Sequence, residues 1–560
     1  MDIADASARV DALAERYWRF LCEETPYKAL MAGEPVTGSQ LFREGVADHD
    51  RRDAAVALLL EEAVSTPPPT DRDRALTLEL LRGELEGRRR LYAVGAHLRP
   101  PLLPVGPDFA AVDFANTAAI ADAASAALYV ERLAMLPDLI RDIGEALQTG
   151  IGRGYRYPRV VVDAAARAAQ RAAQADPAAT PWAAPFRRSP AAGDESVRRQ
   201  AEAATTIIRD RLLPALQAHA ALLDGPLRRG ARDSIACSDD LDGEAFYAAC
   251  VQHHTTATLT PRRIHDIGLE EVARLAAEME AVAAEAGFAG DLPGYRRFLA
   301  DDPQFVVGTA EGLRIACESV AKRIDRQIPA FFGRIPRMTY GIETMSPALS
   351  EFMPPAYAQP NPADGSAPGI FWLTALPSRC PTWMLTPLTL HEAWPGHLLH
   401  LALLQEMTHL PAFLRHGATR YTACIEGWAL YCESLGIEMG LYTTPHQHYG
   451  RLEMEMWRAQ RLVLDTGIHA FGWTRDRAIE SMCRHMALPR ETIVGEIDRY
   501  IGLPGQALAY QLGVITIRGL RQRAERAAGD SFDRRAFHDR FLTAGPASLS
   551  ALEAHLAVGD

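Results

Sequence analysis

The sequence predicts a mainly α-helical protein, and three observations indicate this class. The long segments are rich in Ala, Leu, Arg and Glu, which favour helices. Apolar residues recur in them at spacings of three and four, as in residues 269–286 and 136–150, which is the period of an amphipathic helix. The segments with several Pro or Gly residues, at 67–73, 176–196 and 354–369, are short.

The same breaks bear on the domain organisation. None of them is long or polar enough to indicate a linker, so we expect residues 1–560 to form a single large helical catalytic domain. Two lobes, at about 1–250 and about 251–560, are compatible with this expectation. The second lobe would then carry the metal site considered below.

One short segment has the pattern of a strand. Residues 369–376, GIFWLTAL, lie between turn signals and contain bulky and β-branched residues. We expect a strand here, which would end 15 residues before His391.

Charge and composition exclude several classes of function. The chain has 59 Lys and Arg against 71 Asp and Glu residues and no basic stripe, so nucleic acid is not an expected partner. Residues 1–40 lack a signal-peptide pattern, and no apolar run reaches the ~18–20 residues that span a bilayer. The eight cysteines are scattered without a C-x-x-C pair. We expect a soluble cytoplasmic protein with reduced cysteines and no membrane partner, while the oligomeric state is not indicated.

The segment HEAWPGH, which begins at His391, contains Glu392 and a second histidine, His397. In the zinc-hydrolase pattern H-E-x-x-H the histidines are four apart on one helix face, whereas residues six apart differ by about 240°. Pro395 lacks the N–H that would bond to the carbonyl four residues back, and Gly396 adds backbone freedom. We therefore expect a local bulge of the π type that returns both imidazoles to one side.

A second segment, TACIEGWALYCESLGIEMG, supplies carboxylates. Glu426 and Glu433 stand seven apart on one face of a predicted helix, among aromatic and aliphatic residues. A metal ion held by two imidazoles and one of these carboxylates would give them the charge partner that burial requires and would match a hydrolytic zinc site. On the other interpretation, the histidines are ordinary core or surface residues and Glu392 is solvated.

A third group of polar residues lies nearer the C-terminus. Asp465 and His469 are four apart on one helix face, so the carboxylate could orient the imidazole. Tyr500, Tyr510 and Arg518 could donate hydrogen bonds to a developing oxyanion or to a substrate carboxylate. Each of them, taken singly, is also compatible with a structural role.

Five ordered motifs resemble those of a bacterial family known as domain of unknown function 885. They are HEAWPGH, EGWALYCESL, RLVLDTGIHAFGWT, RYIGLPGQALAYQLG and FHDRFLTAGPASLSALEAHL. That family is similar to the helical zinc peptidases, so the resemblance implies a large helical fold around a deep channel. It also implies a short edge strand that pairs with substrate backbone beside the active site, and residues 369–376 would be this strand.

The resemblance implies roles for individual residues. His391, His397 and Glu426 would bind the metal, and Glu392 would be the general base. Glu433 would support the ligands from behind.

The resemblance further implies that His469 and Tyr510 donate hydrogen bonds to the transition state. The family continues its histidine motif with another histidine and a glutamine, whereas this chain has LLH at 398–400. His400, three residues after His397, could be a spare or substitute ligand. This departure bears on substrate preference more than on metal binding.

These residues predict a zinc-dependent hydrolase of amide bonds that acts on short peptides or small acylated amino acids, because an enclosed channel would exclude folded proteins. Fe²⁺ or Mn²⁺ are alternatives to Zn²⁺, and the enzyme would then catalyse a specialised step of small-molecule metabolism. A non-catalytic helical binding protein with a vestigial site is the third interpretation. It predicts no stoichiometric metal and tolerance of change at Glu392.

Overall fold

The computed structural model describes residues 3–557 apart from 26–27, 30–31, 35–42, 103–114, 116–117, 119, 351–352 and 418–420. The predicted mainly α-helical class is confirmed, since most of this part of the chain is helical. None of the helices described is long and apolar enough to cross a bilayer. One cluster of buried hydrophobic residues extends from Val10 to Leu552. The division into two lobes stays a prediction.

The longer helices follow one another with short connections. In the first half of the chain they are Ile3–Glu24, Val46–Ser65, Arg72–Ala93, Ala123–Leu133, Leu136–Arg153, Arg159–Ala173, Glu195–Ile207, Leu213–Leu222, Gly243–Thr255 and Pro261–Glu285. In the second half they are Leu292–Asp301, Ala310–Asp325, Leu385–Glu392, His397–Glu406, Thr422–Glu438, Pro445–His469, Arg475–Cys483, Arg490–Gly502, Ala509–Ala528, Arg534–Thr543 and Leu549–Ala557.

A small sheet precedes the histidine motif. It consists of β1 (Tyr340–Thr344), β2 (Ala356–Gln359) and β3 (Gly369–Leu373), in the order β1-β3-β2. β3 runs parallel to β1 and antiparallel to β2. The predicted strand is therefore present, but it is the central strand. Because its backbone is bonded on both sides, it cannot pair with a substrate, and the expectation of an edge strand at this position is wrong.

The helix Pro445–His469, called the central helix below, is buried at every residue from Tyr449 to His469. It packs along the helix that contains Gly268, where an added Cβ would lie 2.7 Å from the Cβ of Leu462. Its buried charged residues are Arg451, Glu453, Glu455, Arg458, Arg461 and Asp465. Since a buried charge needs a partner, the environment of each of these residues is informative.

The helix that contains Glu426 packs closely against the helix that contains Tyr510. A Cβ on Gly427 would lie 2.6 Å from the Cα of Gly513, so the two backbones meet at a point where side chains have no room. Tyr510 is one helical turn from this crossing and Glu426 is adjacent to it, which brings both side chains to the same region of the molecule.

Candidate metal centre

A helix break separates the two histidines as predicted, but it is not a π bulge. One helix ends at Glu392 and the next begins at His397. A Cβ on Gly396 would lie 1.9 Å from the carbonyl oxygen of His391, so the turn approaches the first helix too closely for any residue but glycine. The expectation of a bulge within one continuous helix is therefore wrong, because the chain leaves the helix and starts a new one.

This turn brings both imidazoles to one carboxylate. The Nε2 atoms of His391 and His397 lie 3.5 and 3.4 Å from Oε2 of Glu426. These distances are longer than a good hydrogen bond. Ligands about 2.0–2.2 Å from a tetrahedral zinc ion would themselves be about 3.4 Å apart. The predicted triplet is thus brought together with the spacing of metal ligands, and its two nitrogen donors and one oxygen donor fit zinc.

Glu433 lies behind the first histidine. Its Oε1 is 2.8 Å from Nδ1 of His391, and both side chains are buried. Because a carboxylate accepts, Nδ1 carries the proton, which leaves the lone pair of Nε2 directed at Glu426. The hydroxyl of Tyr442 donates to the backbone carbonyl of Glu433 at 2.6 Å and so fixes this helix locally. Glu433 therefore orients a candidate ligand.

The electrostatics of the triplet favour positive charge at its centre. Burial is the largest effect and would lower the pKa of His391, but hydrogen bonds to Glu426 and Glu433 raise that pKa to about 9. Burial would likewise raise the pKa of Glu426, but His397 and His391 hold it well below its ordinary value. A divalent cation at this point would satisfy the same demand for positive charge.

Glu392 adjoins the triplet without being part of it. Its side chain is largely buried, and its carboxylate has no hydrogen bond or ion pair with the part of the chain described here. Its negative charge contributes to the raised pKa of His391, so the two groups are neighbours. Since consecutive helix positions differ by about 100°, the carboxylate lies beside the ligand direction. It is free to accept a proton there.

His400 is separate from the triplet. Its ring is fully buried against Trp428 and Phe541, and neither ring nitrogen has a hydrogen-bond partner in the described structure. Burial lowers its pKa to about 3, so the imidazole is neutral. Nε1 of Trp428 also donates to the carbonyl of Pro395 at 3.0 Å. His400 thus contributes to packing behind the turn, and the geometry gives no support to its expected role as a spare ligand.

The expected pairing of Asp465 with His469 is wrong. Asp465 accepts hydrogen bonds from the Tyr247 hydroxyl at 2.6 Å and the Gly505 N–H at 3.0 Å. His469 donates from Nε2 to the carbonyl of Tyr500 at 2.9 Å. Burial lowers the pKa of His469 to about 4, so the ring is neutral and its other nitrogen can only accept. His469 as placed has no free N–H for a transition state.

The hydroxyl of Tyr500 is also fully used. It donates to Glu496 at 2.7 Å and accepts from Nε1 of Trp457 at 3.1 Å and from Nε of Arg461 at 2.9 Å. Burial is the main reason that its pKa rises to about 12. This tyrosine therefore stabilises the surrounding helices and has no donor left for a substrate.

Tyr510 differs in having an available proton. Its hydroxyl accepts one long hydrogen bond of 3.4 Å from Gln506, and no acceptor for its own proton is found among the residues described. Burial, followed by the charge of Glu426, raises the pKa of Tyr510, so the hydroxyl stays protonated at neutral pH. The influence of Glu426 agrees with the helix crossing that places the two side chains together. Tyr510 is thus a hydrogen-bond donor beside the triplet.

Arg518 is engaged in an ion-pair network. Both of its terminal nitrogens donate to the buried carboxylate of Glu455, which also pairs with Arg451 and Arg274. Burial opposes ionisation of Glu455, but these arginines hold its pKa well below the ordinary value. The terminal nitrogens of Arg518 are therefore not free for a substrate carboxylate, contrary to the expectation.

Two arginines of the central helix were missed by the sequence analysis. Arg458 and Arg461 are buried on either side of Trp457, with their Cζ atoms 5.4 and 5.3 Å from its ring. The signal that could have found them is a long helix with charged, aromatic and Met residues on every face and no continuous polar stripe. Such a helix is buried all round.

The profile of one bacterial family matches residues 26–556 of the sequence. The chain belongs to this family, described as "Bacterial protein of unknown function (DUF885)". The resemblance drawn from the five motifs is confirmed at this level, whereas similarity of this DUF885 protein to zinc peptidases stays a prediction. Comparison with curated proteins gave no significant match.

Two solved structures share the fold of this DUF885 protein. One is described as "the putative lipoprotein from Colwellia psychrerythraea", with 24% identity, a TM-score of 0.91, and coverage of 99% of this chain and 98% of that one. The other, described as "a putative lipoprotein of unknown function from Shewanella oneidensis", has 17% identity, a TM-score of 0.70, and coverage of 97% and 98%. At these identities the similarity establishes the fold alone. The cytoplasmic location expected for this chain stays a prediction.

Proposed function

We propose that this DUF885 protein is a metal-dependent hydrolase of amide bonds, with zinc as the metal and short peptides or small acylated amino acids as substrates. The observation that carries the proposal is the convergence of His391, His397 and Glu426 with the spacing of metal ligands. Three protein ligands and one open position are typical of catalytic zinc sites, whereas structural sites use four. The partner-free carboxylate of Glu392 beside them supports a catalytic role.

Zinc bound by this triplet would polarise a carbonyl and make water nucleophilic near neutral pH. Glu392 would accept a proton from the attacking water and pass it to the leaving amine, a role for which its free carboxylate is suited. Glu433 would hold His391 in the required tautomer. The Tyr510 hydroxyl would donate to the carbonyl oxygen as negative charge develops on it.

The first test is the metal content of protein purified without added metal, measured by inductively coupled plasma mass spectrometry. We expect about one zinc per chain and loss of most of it in His397→Ala, which removes one of three ligands. His400→Leu is the matched control, since it changes a histidine of the same helix that lies outside the triplet. Stoichiometric Fe²⁺ or Mn²⁺ would change the metal and favour small-molecule chemistry. Absence of tight binding by any of these metals would overturn the proposal.

The second test is a screen of dipeptides, tripeptides and N-acylated amino acids, read by mass spectrometry. The zinc-loaded wild type should cleave at least one class, and Glu392→Gln should cleave none at a comparable rate. If the wild type binds zinc but cleaves no amide in the screen, the hydrolase assignment fails. A helical binding protein would then be the better description.

A further inference from the structure

Arg458 is a buried cation without a carboxylate partner. Its side chain is nine-tenths buried, and Nη1 donates to the carbonyl oxygen and the sulfur of Met454, one turn earlier in the same helix. Nε is fully buried and has no hydrogen-bond partner in the described part of the chain. A guanidinium group remains charged in proteins, so this site retains a desolvated positive charge.

The other arginines of the central helix are neutralised. Arg451 pairs with Glu455 at 2.7 Å, and Arg461 pairs with Glu496 at 3.2 Å. Among the central-helix arginines, Arg458 alone lacks such a partner in the residues that the structure describes. A structural role in an ion pair therefore does not explain it.

The surroundings of Arg458 carry an excess of positive charge. Arg461 and Arg499 both donate to Glu496, so three guanidinium groups here share one carboxylate. Nη1 of Arg461 is buried and has no partner in the structure described. Such an excess in a buried region is costly unless an anion compensates it.

The excess charge lies next to the metal centre. The Cζ atoms of Arg461 and Arg458 are 4.4 and 6.0 Å from the centroid of the Tyr510 ring. Tyr510 in turn is a neighbour of Glu426, the carboxylate of the triplet. A single aromatic ring thus separates the unpaired guanidinium groups from the candidate ligands, and an anion bound between them would lie within one short residue of the metal.

We propose that Arg458, assisted by Nη1 of Arg461, binds a carboxylate of the substrate and so selects anionic peptides or acylated amino acids. The planar guanidinium group matches a carboxylate in geometry and charge. The carboxylate is either the α-carboxylate that ends a chain or the side chain of an acidic residue. The assignment of substrate class rests on the proposed function, whereas the anion site itself does not.

The test is calorimetric binding to the zinc-loaded wild-type protein with two pairs of probes. N-acetylphenylalanine and its amide differ in the α-carboxylate, while N-acetylglutamate α-amide and N-acetylglutamine amide differ in a side-chain carboxylate. We expect one acid, or both, to bind roughly 10- to 100-fold more tightly than its amide, which is the worth of a hydrogen bond to a charged group. The pair with the larger ratio identifies the source of the carboxylate.

Variants assign this preference to a residue. Arg458→Gln should remove most of it, and Arg458→Lys should restore part of it because the charge remains without the planar fork. Arg523→Gln is the matched control, since Arg523 is half-exposed and should leave the preference unchanged. Melting temperatures identify any variant that fails to fold.

Two results would overturn the anion site: acids that bind no better than their amides to the wild type, or a preference that survives intact in folded Arg458→Gln. Failure of both acids to bind counts with the first result. The hydrolase proposal fails separately. Acid preference without cleavage of any amide leaves the anion site standing, whereas cleavage without acid preference removes the site and keeps the hydrolase.

Discussion

Gly396→Ala is the substitution whose effect the structure determines most directly. The new Cβ would lie 1.9 Å from the carbonyl oxygen of His391 and 2.5 Å from that of Leu390. Ordinary contact begins near 3.4 Å, so the turn would have to move by about 1.5 Å relative to the first helix. Both obstacles are backbone atoms of the helix that carries His391, so no side chain can move aside to make room.

The consequence falls on the second histidine. His397 follows Gly396 directly, and a zinc–nitrogen bond is about 2.0–2.1 Å long, so a displacement of about 1.5 Å takes this imidazole out of coordination. Loss of a ligand should cost more than the roughly 10–100-fold in metal affinity that loss of a supporting partner costs. We therefore expect zinc affinity to fall by at least about 100-fold. The metal-free protein should also melt at a lower temperature, since the strain remains without metal.

The assay is competition for zinc with a chromogenic chelator, combined with thermal unfolding of the metal-free protein. Gly83→Ala is the matched control because Gly83 lies within a helix and an added Cβ there meets nothing within 4 Å. It should leave zinc binding unchanged and stabilise the helix by about 0.5–1 kcal/mol. If Gly396→Ala keeps the wild-type zinc affinity and melting temperature, the turn does not position His397 as argued here.

Three further predictions concern single carboxylates. Glu392→Gln should keep the zinc and the melting temperature but lower turnover by roughly 10²–10⁴-fold, and near wild-type rates on any substrate found would exclude it as the base. Glu433→Gln should weaken zinc binding by roughly 10–100-fold, measured by chelator competition, because the bond to Nδ1 of His391 loses its charge; unchanged affinity would show that this contact does not support the ligand. Glu453 is buried, and burial raises its pKa to about 7, so ionisation between about pH 4.5 and 7 occurs first in the unfolded chain and the folded state loses stability as the pH rises. Glu453→Gln should therefore unfold at higher denaturant concentration than the wild type at pH 8, by roughly 3 kcal/mol, with little difference at pH 4, and an equal difference at both pH values would contradict this account.

The sequence by itself determined the helical class and the residues that form the candidate metal site. Both depend on local pattern, since apolar periodicity indicates helices and a fixed spacing along one helix indicates a shared face. His391, His397 and Glu426 could be selected in this way because each motif is short and carries its own geometric constraint. The presence of a break near Pro395 followed from the missing N–H for the same reason.

The tertiary structure decided which polar groups are free and which are used. Arg518 was a reasonable candidate by type, but Glu455, which lies 63 residues away in the sequence, neutralises it. Arg458 looked like one charge among many on a helix whose burial is set by the elements packed around it. The central position of β3 likewise depends on strands distant from it in sequence. Whether a charge is paired, or a strand has a free edge, is a property of long-range contacts, and local sequence patterns do not encode the partner.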